Sequence, residues 1–132
     1  MRHEEKLINN CMIVSVDFDG TLCKHRFPDI GLPNIELITN LIDLKKNGNR
    51  IVLWTCREGK HLQEAVNWCK IYGLEFDAVN ENVEHEFNKG AQKGRKVYSH
   101  IHIDDKAIHP DDFLTIIRRI NDKKRKTWKK KI

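Results

Sequence analysis

The sequence predicts an α/β fold in three layers, a mostly parallel sheet with helices on both faces, and three observations predict it. Two short runs rich in β-branched residues, Met12 to Val16 and Ile51 to Trp54, end abruptly at polar residues, as buried parallel strands do. Stretches of helical period lie between and after them. The whole alternation fits within 132 residues, the common size of one domain.

The elements follow in order. Met12 to Val16 is the first strand. A helix comes next, entered through Pro33-Asn34, with Ile35, Ile38, Leu41 and Ile42 on one face and Gly48 closing it. Ile51 to Trp54 is the second strand. Leu62, Ala65, Val66, Cys69 and Tyr72 then repeat the helical spacing before Gly73. Phe76 to Val79 and Val97 to Ile103 are weaker strand candidates, and Phe113, Ile116, Ile117 and Ile120 form a last apolar helix face after Pro110. Right-handed crossovers bring every strand's C-terminal end to one edge, where ligands bind. Asp17, Thr55, Asn80 and Asp104 each follow a strand, so topology alone predicts their convergence.

Composition excludes several classes. Hydrophobic residues make 39% and charged residues 33% of the chain, an ordinary globular balance. No apolar run is long enough to span a bilayer, and Met1 to Lys6 lacks the apolar stretch of a signal peptide, so the expectation is a cytoplasmic protein without membrane contact. Cys11, Cys23, Cys56 and Cys69 stand far apart with no C-x-x-C pair, which predicts reduced structural thiols. The net charge of +5 is partly terminal, because Lys123, Lys124, Arg125, Lys126, Lys129, Lys130 and Lys131 crowd the last ten residues. The expected division is a single domain over 1–122 and a basic C-terminal tail over 123–132. That tail reads either as a solvated, frayed helix end or, with Trp128, as an arm for nucleic acid.

The chemistry begins at Val16-Asp17-Phe18-Asp19-Gly20-Thr21-Leu22, where two carboxylates stand two residues apart at a strand end and Gly20 permits an abrupt change of direction. Such a pair alone also suits a calcium loop or a surface turn, but no calcium-loop continuation follows. Ile101-His102-Ile103-Asp104-Asp105 supplies a second acidic pair at another strand end. Carboxylates gathered at one edge repel each other, and a hard divalent ion with oxygen ligands, most simply magnesium, relieves that repulsion. Thr55 adds a hydroxyl and Lys96 a fixed positive charge, both suited to the oxygens of a phosphoryl group in transfer. Arg57 either forks onto phosphate or pairs with Glu58. His100 and His102, on one strand face, read as packed histidines rather than a metal pair.

Asp17-Phe18-Asp19-Gly20-Thr21, then Thr55, then a lysine, then Asp104-Asp105 resembles the four ordered motifs of the haloacid dehalogenase (HAD) superfamily over most of the chain. The resemblance implies a Rossmann-like, HAD-like fold and a phosphatase that forms an aspartyl phosphate on Asp17. By the same resemblance Asp19 is the acid and base, Thr55 and Lys96 bind phosphoryl oxygens, and Asp17 and Asp104 hold Mg2+ with the backbone carbonyl of Asp19. Lys96 is preferred over Lys89 and Lys93 because it immediately precedes a strand. Asp105 either meets the metal through water or orients Lys96. Neither inter-motif gap has room for a cap domain, so the site is expected to be open to a phosphorylated small molecule or nucleotide.

Thr21, Lys24, Arg57 and Asn80 are the candidate substrate contacts. Thr21-Leu22-Cys23-Lys24, Arg57-Glu58 and Ile103-Asp104-Asp105-Lys106 look like the phosphatase half of polynucleotide kinase phosphatases, which makes a polynucleotide-end phosphatase, with the basic tail touching nucleic acid, the alternative substrate class. A receiver domain is excluded by motif order. A non-catalytic basic nucleic-acid-binding module is the remaining alternative, disfavoured by the intact residue set.

Overall fold

The computed structural model describes residues 12–83, 99–104 and 110–130. Among these residues four strands, β1 (Ile13–Val16), β2 (Arg50–Leu53), β3 (Ala78–Val79) and β4 (Ile101–Ile103), form an all-parallel sheet in the order β3-β2-β1-β4. Three helices among the described residues, α1 (Ile35–Lys46), α2 (Gly59–Ile71) and α3 (Pro110–Lys130), give with them an α/β, Rossmann-like arrangement. The strands depart slightly from their apolar runs: β1 leaves out Met12, β2 takes in Arg50 and leaves out Trp54, and the expected third strand shrinks to two residues.

The first and last residues of α1 explain its limits. Asn34 caps it, its Oδ1 accepting from Leu37 N at 3.2 Å, while Glu36 in the first turn and Lys45 and Lys46 in the last complement the helix dipole. Its buried face is Leu37, Ile38, Leu41 and Leu44. Ile35, expected on that face, is 51% exposed, because at 3.6 residues per turn it stands round the helix from the stripe centred on Leu37, Leu41 and Leu44. In α2 Ala65 and Cys69 are buried, whereas Tyr72 is the C-cap and partly exposed. In α3 Leu114 joins Phe113, Ile117 and Ile120 in the core, and Ile116 lies only partly buried.

All three helices contribute to one core on the sheet face that carries Met12, Val14, Val16, Ile51, Leu53, Ile101 and Ile103. Ile13, Ser15 and Val52 point to the other face and are also buried. The helical layer expected there is not among the described residues. Truncating a fully buried core leucine such as Leu41 to alanine costs about 2–5 kcal/mol. Arg118 of α3 forks onto Glu36 of α1 at 2.7 and 2.8 Å, but this exposed pair is worth under about 1 kcal/mol. The core therefore holds the helices.

The helix α3 runs unbroken to Lys130, so the boundary expected after residue 122 is not a break in secondary structure. Among the described residues no helix is long and apolar enough to cross a membrane. Cys23, Cys56 and Cys69 are free thiols, and burial pushes Cys69 up to about 12.

Candidate active site

The sheet register delivers the acidic groups to one edge. Val16 pairs with Ile103 on one side and Leu53 on the other, and Leu53 pairs with Val79. One residue further on, Asp17 N donates to Ile103 O at 3.0 Å and Asn80 N to Leu53 O at 2.8 Å. Asp17, Asp104 and Asn80 thus leave the sheet at one level, with Thr55 one residue past it. Beyond Asp17 the chain reverses through Thr21 N and Leu22 N, which both donate to Phe18 O. The turn needs Gly20, whose φ of 81° is strained for any residue with a Cβ. Phe18 pins the turn into the core, wholly buried and edge-on to Trp68 at 5.5 Å.

Asp17, Asp19, His25, Phe27, Thr55, Cys56 and Arg57 line a cavity of about 340 Å3 above this edge. Asp17 Oδ1 accepts from Phe18 N at 2.7 Å, while Oδ2 makes no hydrogen bond among the described residues. Burial pushes the Asp17 carboxyl above its ordinary value; the Phe18 bond opposes this, and the charges of Asp19 and Asp104 add to the rise. Three carboxylates therefore crowd one edge, as the sequence suggests.

Arg57 corrects the reading made of it. Its side chain is 1% exposed, so it neither forks onto a free substrate nor pairs with Glu58. Nε and Nη2 grip Asp19 Oδ2 and Oδ1, both at 2.8 Å; Nη1 donates to Pro28 O and His61 O, and Nη2 also to Asp29 O. All five donors are used. The guanidinium lies between the rings of Phe18 and Phe27, 4.9 and 5.0 Å from their centroids. Hydrogen bonding to Asp19 holds Arg57 above its ordinary value against the effect of burial. Arg57 ties Asp19 to the loop that carries Phe27, and positions both.

Thr55 stands at the cavity wall, with its Oγ1 accepting from Arg57 N at 3.2 Å, which leaves the hydroxyl proton to donate elsewhere. Its own N–H donates to Asn80 Oδ1 at 2.8 Å. Asn80, with φ of 54°, is thus a buttress for Thr55 rather than a member of the cavity lining. Asp104 is held from behind: its Oδ2 meets His102 Nε2 at 2.9 Å, and His102 Nδ1 meets buried Ser15 Oγ at 2.7 Å. His100 Nδ1 accepts from Ile13 N at 2.9 Å. Both histidines are packed into the sheet's hydrogen bonding.

A solved structure of a conserved protein from Bacteroides thetaiotaomicron is similar to this chain, with 34% sequence identity, a TM-score of 0.68, and coverage of 82% of this chain and 90% of that one. The chain belongs to the family of that conserved protein. No protein-family model matches the chain, nor does any curated protein. Membership of this family supports the α/β fold and leaves the chemistry to the site's own geometry.

Other expected residues separate from the cavity. Thr21 is 2% exposed and its Oγ1 has no hydrogen-bond partner among the described residues, so it is shut off from a substrate. Lys24 is exposed on the loop above the cavity but does not line it. Lys89, Lys93, Lys96 and Asp105 lie outside the described residues. Among the described residues no group of three or more His, Cys, Asp or Glu side chains is placed to hold a metal ion. The expected magnesium set does not require one: it combines Asp17, Asp104 and a backbone carbonyl with Asp105. Asp19 enters that expected set only through its carbonyl, both of its carboxylate oxygens being held by Arg57.

Sequence reasoning missed His25, Phe27 and Cys56 as cavity residues, for which the sequence carries no signal. It also missed the Ser15–His102–Asp104 chain, for which it carries one: a serine inside the apolar run Ile13-Val14-Ser15-Val16.

Proposed function

We propose that the chain is a magnesium-dependent phosphomonoesterase of the haloacid dehalogenase type, acting through an aspartyl phosphate on Asp17. The observation that carries the reading is one cavity lined by Asp17 with an unengaged Oδ2, by Asp19 fixed two residues on, and by Thr55 with a hydroxyl proton to give. In this reading the Thr55 hydroxyl donates to a phosphoryl oxygen and Lys96 adds a positive charge to the others. Asp17 Oδ2 attacks phosphorus, the bond to the leaving oxygen breaks, and Asp19, protonated on an oxygen released from Arg57, gives that leaving oxygen its proton. Water then attacks the same phosphorus, Asp19 takes its proton, and inorganic phosphate departs with Asp17 restored.

Asp17, Asp104 and the Asp19 carbonyl fit a hard, oxygen-seeking ion: burial first of all raises the Asp17 carboxyl, the charges of Asp19 and Asp104 add to the rise, and a bound cation would oppose both. Bound magnesium would neutralise charge on the phosphoryl oxygens in transfer. Asp104 is preset for such a role by His102. The test is turnover of an activated aryl phosphate with and without magnesium. The wild type hydrolyses it only with the metal, and Asp17→Asn, folded by circular dichroism, falls to background. A folded Asp17→Asn that still turns over, or a wild type indifferent to chelation, overturns the proposal.

A further inference from the structure

We propose that Phe27 is a platform for a planar ring in the leaving group, so that the preferred substrates of this site are phosphomonoesters of ring-bearing alcohols, nucleotides among them. The inference rests on the phosphatase reading above and adds the substrate class. Phe27 is 50% exposed, although it lines the same cavity as Asp17 and Asp19. An exposed ring is usually free to turn; this one is pinned. Arg57 lies 5.0 Å from its centroid and His61 meets it edge-on at 5.4 Å. The backbone behind it is tied down by Arg57 at Pro28 O and Asp29 O, and by Lys24 N donating to Leu32 O at 2.8 Å. A Cβ at Gly31 would overlap the Lys24 carbonyl, so the loop closes tightly on itself.

The π face is thus ordered before any ligand arrives, and stacking on it carries little further entropic cost. The leaving oxygen must lie near Asp19, and Arg57 links Asp19 to this loop, so the group attached to that oxygen extends toward Phe27. Lys24, His25 and Arg26 precede it in the chain, all exposed and without a hydrogen bond or ion pair from their side chains among the described residues. The cations of Lys24 and Arg26 beside an aromatic face suit a ring that carries negative charge nearby, as a nucleotide does.

The experiment compares kcat/KM with magnesium for a nucleoside monophosphate, a terminally phosphorylated dinucleotide, a phenyl-type ester and glycerol phosphate. It uses the wild type, Phe27→Leu and Phe27→Trp. Leucine keeps apolar bulk over Arg57 but removes the π face; any disturbance of Asp19 affects the nucleoside monophosphate and glycerol phosphate alike, since both are alkyl esters, and cancels in the ring-to-glycerol ratio of those two. The ring-to-glycerol ratio falls about tenfold in Phe27→Leu, the scale of one base-on-aromatic stack, and survives in Phe27→Trp. A dinucleotide preferred over the mononucleotide assigns the platform to strand ends, and the reverse assigns it to free nucleotides; both support it. A ratio equal in wild type and Phe27→Leu overturns it while leaving the phosphatase reading intact. Should no ester be hydrolysed, that reading fails instead, and calorimetric binding of the nucleoside monophosphate decides the platform: affinity weakened about tenfold by Phe27→Leu supports it, and equal affinity or no binding by the wild type overturns it.

Discussion

Replacing Arg57 is the most demanding perturbation the structure offers, because one side chain serves a carboxylate, three backbone carbonyls and two aromatic rings. Arg57→Met keeps much of the volume and removes every donor. Asp19, with a side chain only 15% exposed, then loses both hydrogen bonds of its ion pair with Arg57, and the carbonyls of Pro28, Asp29 and His61 lose theirs. Removing one partner of such a pair costs about 3–5 kcal/mol. The lost cation–π contacts belong to the same event and are not added to it. For a chain of this size that corresponds to a fall in Tm of roughly 10–20 °C. Arg57→Lys, which keeps the charge but loses the fork, falls between. The assay is urea unfolding of each single variant and of Arg57→Met combined with Asp19→Asn. Because Asn at position 19 removes the buried charge, the double variant is predicted to recover at least about 2 kcal/mol relative to additivity. A loss below about 1 kcal/mol for Arg57→Met, or strict additivity, refutes the clamp.

Burial raises the Asp17 carboxyl, so the folded state holds its proton to higher pH than the unfolded chain, and stability falls as pH rises from the ordinary 3.8 through the raised value. In chelator, Asp17→Asn is therefore predicted to have a higher Tm than wild type at neutral pH, with the gap closing below 3.8; an equal or lower Tm at neutral pH contradicts the desolvation argument. Asp19→Asn should slow hydrolysis of alkyl phosphates far more than of aryl phosphates, whose leaving oxygen needs no proton, as read from kcat/KM for the two classes. Equal losses would remove Asp19 from the acid's role. Trifluoroberyllate with magnesium should raise the wild-type Tm and leave Asp17→Asn unmoved, as measured by scanning fluorimetry, because the carboxylate oxygen is its anchor.

The elements were legible where sequence period and burial coincide. The apolar runs fix β1 and β2, and Pro33-Asn34 and Gly48 frame α1. Convergence at the strand ends followed from parallel topology, since residues after paired strand ends stand level whatever their type. What was not legible depends on contacts across large sequence separations. Arg57 sits 38 residues from Asp19, and no local pattern distinguishes a buried guanidinium from a surface one. Thr21 shares a motif with Asp17 yet turns inward, because the Gly20 turn reverses the chain before it. Ile35 shares a helical spacing with Ile38 and Ile42 and lies outside the core, since Leu37, Leu41 and Leu44 form a second, overlapping stripe and the sheet takes that one.

The central claim is that phosphorus is bonded to Asp17 during turnover. Acid quenching of the protein with magnesium and an aryl phosphate, followed by borohydride reduction and peptide mapping, reads that bond directly, because reduction of an aspartyl phosphate leaves homoserine. The account predicts homoserine at position 17, more of it in Asp19→Asn, where the water step lacks its base, and none in chelator. Turnover with no modification at Asp17, or with the phosphoryl group trapped on another residue, contradicts it.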